Sequence, residues 1–212
     1  MTTTSMYRRI VSGEGIRLGV IAHLRLWVPA YVAEVSRQAG LTHCLPDFRG
    51  YAPALVTGTP DDQLPLCVVT APATIDTPQK HDGGLYTAPW GIGIGCVVSR
   101  RTREAAGAVA SLYGAAVRAA MVQHPSLGGM SDGTDWLVED TEEIAWDDVR
   151  VVMAAKLQFA AHILGVVDSR GGFTVPQPTN GRTNPADGYL YDAAGQYVAE
   201  HVYVDLDQME DQ

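Results

Sequence analysis

The chain of 212 residues is 46% hydrophobic, enough to bury one sizeable core, and only 18% charged, which suits a protein that covers part of its surface with partners. A net charge of −9 argues against a protein that clings to nucleic acid through a broad basic surface. The three scattered cysteines, Cys44, Cys67 and Cys96, form neither a disulfide framework nor a zinc spacing and fit a reducing compartment.

The first residues, "MTTTSMYRRI", have no long apolar segment behind their charges. Arg17, His23 and Arg25 interrupt the apolar run that follows, so neither a signal peptide nor a membrane span is predicted. Residues 14–39 are expected as a helix. Leu18, Ile21, Ala22, Leu24 and Val28 recur at helical spacing, followed by Tyr31, Val32 and Val35. Pro29 should kink this helix or begin a second one, and Gly40 suits its C-cap. Four prolines mark residues 44–65 as loop.

Residues 66–72, "LCVVTAP", read as a short strand, and "TIDTPQKHDGG" as a turn-rich connection. "LYTAPWGIGIGCVVSR" (residues 85–100) reads as a long strand, bulged at Pro89. Residues 102–123 form the clearest helix, capped by Thr102 and favoured by Glu104 in its first turn, with Val109, Leu112, Ala116 and Ala120 as one stripe. His124 before Pro125 ends it. After a loop, residues 136–146 and 149–167 read as a hairpin. The second arm is ambiguous by periodicity, but its Val and Ile content favours strand.

Residues 168–196 are rich in Gly, Pro and Asn and are expected as a long loop or arm. Residues 197–212 are expected as a final strand with an acidic tail, and residues 1–167 as the core. The predicted class is α+β, a mostly antiparallel sheet with helices packed on one face.

Several patterns bear on chemistry. Gly91, Gly93 and Gly95 alternate inside a strand, whereas a dinucleotide fingerprint needs glycines at the strand end, opening a helix. The alternation instead strips one strand face, so that a helix or a neighbouring chain could approach closely. None of His23, His43, His81, His124, His162 and His201 sits at metal-ligand spacing with another. His81 next to Asp82 resembles half of a triad, but no G-x-S-x-G elbow accompanies it. "EDTEE" (139–143) and "DLDQMED" (205–211) are acidic clusters, the first placing Glu139 and Glu143 on one strand face and Glu142 on the other; a solvated face is expected. Arg100, Arg101 and Arg103 open the central helix against its dipole, a cost that an acidic patch on a neighbouring chain would offset; three solvated arginines are the alternative reading. No catalytic residue, cofactor or metal is predicted.

"PLCVVTAP" followed by "GGLYTAPWGIGIGCVVSRRTREAAGAVASLYGAAVRAAMVQHPSLGG" resembles the tail terminator proteins of long-tailed actinobacteriophages, with Tyr113, Arg118, Gln123, Leu127, Gly128 and Gly129 carrying the likeness over residues 14–167. The stretch "SRGGFTVPQPTNGRTNPADG" departs from that pattern. The resemblance implies an α+β fold and a non-enzymatic virion protein at the tail–head junction, made in the host cytoplasm. It implies a homohexameric ring that caps the tail tube, ends its polymerisation and docks the head-side connector. DNA would pass through without specific binding, and no membrane is involved. Within such a ring, Arg100, Arg101 and Arg103 are expected to face Glu139, Glu142 and Glu143 of the next subunit. The alternatives are a stopper or head-completion protein, a tail-tube subunit, an adaptor using its long loop, or a small cytoplasmic enzyme.

Overall fold

A computed structural model describes residues 11–55, 59–82, 84–146, 150–168, 189–191 and 197–200. The chain divides into two compact units, Met1–Arg170 and Gly171–Gln212. The first contains α1 (Gly13–Gln38), β1 (Gly50–Ala52), β2 (Leu66–Thr70), β3 (Gln79–Lys80), β4 (Leu85–Arg100), α2 (Arg103–Gln123), β5 (Ser131–Trp146) and β6 (Val151–Asp168). The second contains the antiparallel pair β7 (Tyr189–Tyr191) and β8 (Tyr197–Glu200). The class is α+β, as expected.

Both helices begin on a side-chain cap. The Ser12 hydroxyl accepts from the Gly15 amide at 3.0 Å, and the Thr102 hydroxyl accepts from the Ala105 amide at 3.3 Å. α1 ends as Gly40 suggested. With φ of +66°, Gly40 turns the chain so that its amide reaches the Arg37 carbonyl and the Leu41 amide reaches that of Ser36. Pro29 does not break α1. Arg25, whose carbonyl loses its amide partner there, is exposed, so water can replace that bond.

The sheet order is β1-β2-β4-β6-β5, with β3 added against β4. Only the β1–β2 pair is parallel. α1 and α2 cover one face. There Ile92, Ile94, Cys96 and Val98 of β4 meet Leu24, Val28, Tyr113 and Val117, together with Leu157 and Phe159 of β6. Fully burying each such aliphatic or aromatic side chain contributes about 1.5–3 kcal/mol. On the opposite face a smaller cluster joins Leu64, Val97, Val152 and Ala154.

Some expectations are corrected. The segment read as loop at 44–65 contributes β1, and the turn-rich connection contributes β3. β5 begins at Ser131, five residues before the expected Trp136. The irregularity in β4 falls between Tyr86 and Ala88, while Pro89 stays in register with His162. β7 lies in the stretch expected as loop. Four residues of the predicted last strand form β8, and 201–212, with the acidic tail, lie outside the described residues. α1 and α2 are long and apolar enough to cross a membrane by length and composition, yet each packs a face on the sheet as a core helix does.

Candidate assembly interface

The stripped strand resolves into two unlike faces. Ile92, Ile94 and Cys96 point to the helices, while Gly91, Gly93 and Gly95 lie on the face without one. The missing side chains therefore do not accommodate the chain's own helices. Gly93 stands opposite Thr70 on one side and Gln158 on the other, and Gly95 opposite Val68 and Lys156. A Cβ at Gly93 would lie 2.6 Å from the Thr70 hydroxyl, and one at Gly91 only 2.7 Å from Ile75 Cγ2. At Gly95 the nearest atom, 3.6 Å away, is an ordinary contact. Strands flank Gly93 and Gly95 on both sides, and the strand continues to Arg100 before α2 begins, so these glycines do not form a helix-opening phosphate loop. They floor a trough of about 330 Å³ walled by Leu55, Val68, Thr70, Ile144, Lys156 and Gln158.

The expected interface charges are partly engaged within the chain. Arg103 Nε lies 3.2 Å from Glu143 Oε2. Glu139 pairs with Arg118 of α2, and the Arg118 guanidinium sits 4.8 Å from the Trp136 ring centroid. Gly114 admits that carboxylate, since a Cβ there would lie 2.9 Å from Glu139 Oε1 and 3.1 Å from Ala155 Cβ. Glu139 and Glu143 thus lie on the α2 side and are largely covered, a correction to the solvated face expected. Glu142, on the other face, pairs with Lys156. Arg100 and Arg101 are exposed, and neither has a carboxylate within 4 Å among the described residues.

Other residues singled out by the sequence hold the fold together. The Tyr113 hydroxyl donates to the Pro46 carbonyl at 2.5 Å. The Tyr31 hydroxyl donates to Gln123 Oε1 at 2.7 Å and accepts from His124 Nε2 at 3.0 Å. His124 stacks on Trp27, with ring centroids 3.6 Å apart. Leu127, Gly128 and Gly129 all adopt positive φ, which explains the paired glycines after α2.

The two ends of the sheet differ sharply. β5 is one edge, and Trp136, Leu137 and Val138 are 47%, 54% and 49% exposed along it. Asp132, Asp135, Asp140 and Glu142 are exposed on the same strand. β1 is the other edge. Exposed Arg25 lies 5.1 Å from the Tyr51 ring centroid, and Arg49 is exposed beside it. With Val28, Pro29, Asp47 and Phe48 they line a cleft of about 260 Å³. Burial pushes the Tyr51 hydroxyl pKa up, with the buried Cys67 adding to the shift. No signal in the sequence joined residues 25 and 49, because their proximity depends on α1 lying across β1.

Among the described residues, neither a histidine-based triad nor a cluster of metal ligands is assembled, and His201 lies outside them. His162 Nε2 is 2.9 Å from Asp135 Oδ2, but the hydroxyl of Ser131, at the start of β5, bonds the backbone of Gly133 and the His162 carbonyl, not the imidazole. No group of three His, Cys, Asp or Glu residues suited to a metal occurs among the described residues.

No protein-family model matches this sequence, and no curated protein matches it. Among solved structures, a chain of the virion of a native gene transfer agent (GTA) particle is similar, at 17% identity and a TM-score of 0.36, covering 69% of this chain and 98% of that chain.

Proposed function

We propose that this chain is a structural virion protein that assembles into a ring on the end of a phage-like tail tube, ends tube polymerisation and joins the tail to the head-side connector. The observation that carries the reading is the unequal covering of the sheet. Two helices occupy one face, while the glycine-floored trough and the apolar, charged β5 edge are left to other chains. The sequence resemblance supplies the kind of assembly. A net charge of −9 suits a channel that phosphate-rich DNA passes without sticking. Neither catalysis nor a cofactor enters this reading.

In this reading Arg100 and Arg101 reach across to a neighbouring subunit, where the acidic 139–143 segment is the proposed counterpart. Arg103 and Glu143 contribute only by exchanging their intrachain bond. Native mass spectrometry over a concentration series, with negative-stain images, is the test. Six copies of the 22.7 kDa chain, about 136 kDa, seen as closed rings are expected. Long tubes would replace the terminator reading with a tube subunit. A monomer that also fails to bind isolated tube ends would sink the assembly reading. Arg101→Glu is expected to weaken the ring most at low salt, where screening is least.

A further inference from the structure

Resting on the assembly reading above, we propose that the two edges of the six-stranded sheet are the two halves of one head-to-tail contact, in which the β5 edge of one copy seats on the β1 edge of the next. Both edges are open. No described strand lies outside β5, whose sixteen residues are interrupted by register shifts at Ser131/Thr134, Trp136/Val138 and Glu143/Ala145, or outside the three-residue β1. A long free edge is a template for another chain unless its charges forbid it.

The charges select the occupant. Asp132, Asp135, Asp140 and Glu142 line β5, of which Glu142 pairs with Lys156 and Asp135 lies 2.9 Å from His162 within the chain, and no lysine or arginine lies on that strand. Two β5 edges brought together antiparallel would set like charges opposite one another, which is destabilising. The β1 edge is the complement. Arg25 and Arg49 are exposed there with one carboxylate, Asp47, in the same cleft, and neither arginine has a carboxylate within 4 Å among the described residues. The shapes agree as well. β5 exposes Trp136 on the helix-covered face and Val138 on the open face with Leu137 between them, and β1 borders the 260 Å³ cleft walled partly by Val28, Pro29, Asp47 and Phe48. Trp136 and the Arg118 guanidinium over its ring are residue types enriched among the hot spots of interfaces. Because the two patches differ, the contact is heterologous and generates rings or filaments instead of closed pairs.

The test uses two variants of the full chain, each blocking one edge. Arg49→Glu blocks the β1 edge, and Trp136→Ser with Leu137→Asp blocks the β5 edge. Each is measured alone and in equimolar mixture by analytical ultracentrifugation beside the wild type. Each variant alone is expected to need a concentration at least about tenfold higher than wild type to assemble. The mixture is expected to give one species of twice the 22.7 kDa chain mass, because each variant retains the edge that the other has lost. If circular dichroism finds the double variant unfolded, Asp140→Lys, at an exposed side chain, takes its place. A variant that assembles like wild type, or a mixture that stays monomeric, overturns this contact while wild-type rings preserve the broader reading. Wild type that remains monomeric at every concentration and at isolated tube ends overturns both.

Discussion

Gly114 and Gly107 lie on the same helix and separate two consequences of a missing side chain. At Gly107 an added Cβ would meet Met153 Cε at 3.8 Å, an ordinary contact. Gly107→Ala is therefore expected to stabilise the fold by about 0.5–1 kcal/mol through helix propensity. At Gly114 the same atom would press on Ala155 Cβ at 3.1 Å and on a carboxylate already held by Arg118. Gly114→Ala is expected to cost about 1–3 kcal/mol, since the helix must lift from the sheet. Thermal unfolding of both variants checks the contrast, and equal shifts would refute it. Sequence spacing exposed neither distinction, because Ala155 and Glu139 meet α2 only across the sheet. By contrast, the Thr102 cap and the turn at Gly40 depend on neighbours within a few residues, and both were legible.

The helix pair carries the clearest pH dependence. His23 donates from Nε2 to the Ala120 carbonyl at 3.3 Å inside the α1–α2 contact. Burial lowers its pKa below the usual 6.5, the Ala120 bond partly opposes this, and nearby His124 lowers it further. A depressed folded value means that the unfolded chain takes up the proton first. The stability from a neutral His23 is thus present above about pH 6.5 and is lost as pH falls toward the lowered folded value. Urea unfolding between pH 7.5 and 5 is expected to lose stability, with a shallower loss in His23→Gln. An unchanged slope in that variant would remove His23 from the account. Strands were less legible than helices at this scale. β6 runs between β4 and β5 and packs hydrophobic residues on both faces, so it lacks the alternation of a half-buried strand. β1 and β3 are too short to carry any period.

At the scale of the whole molecule, covering one sheet face and leaving the other open sorts the cysteines. Cys67 and Cys96 are cross-strand neighbours, fully buried beneath the helices, and burial pushes both thiols up. Cys44 is exposed. A thiol reagent at neutral pH is expected to modify one cysteine in the native protein and all three after unfolding. Rapid native modification of Cys67 or Cys96 would contradict the packing of this layer. The α+β class, the two capped helices, the long glycine strand and the hairpin were set by the sequence alone, because caps, periodicity and turn residues act over a few positions. Which face the glycines present, which carboxylates α2 claims, and the acidic and basic characters of the two sheet edges were decided only by the tertiary structure. Each of these depends on residues as far apart as Arg25 and Arg49, or Gly114 and Glu139, which the order of strands brings together and which no local pattern encodes.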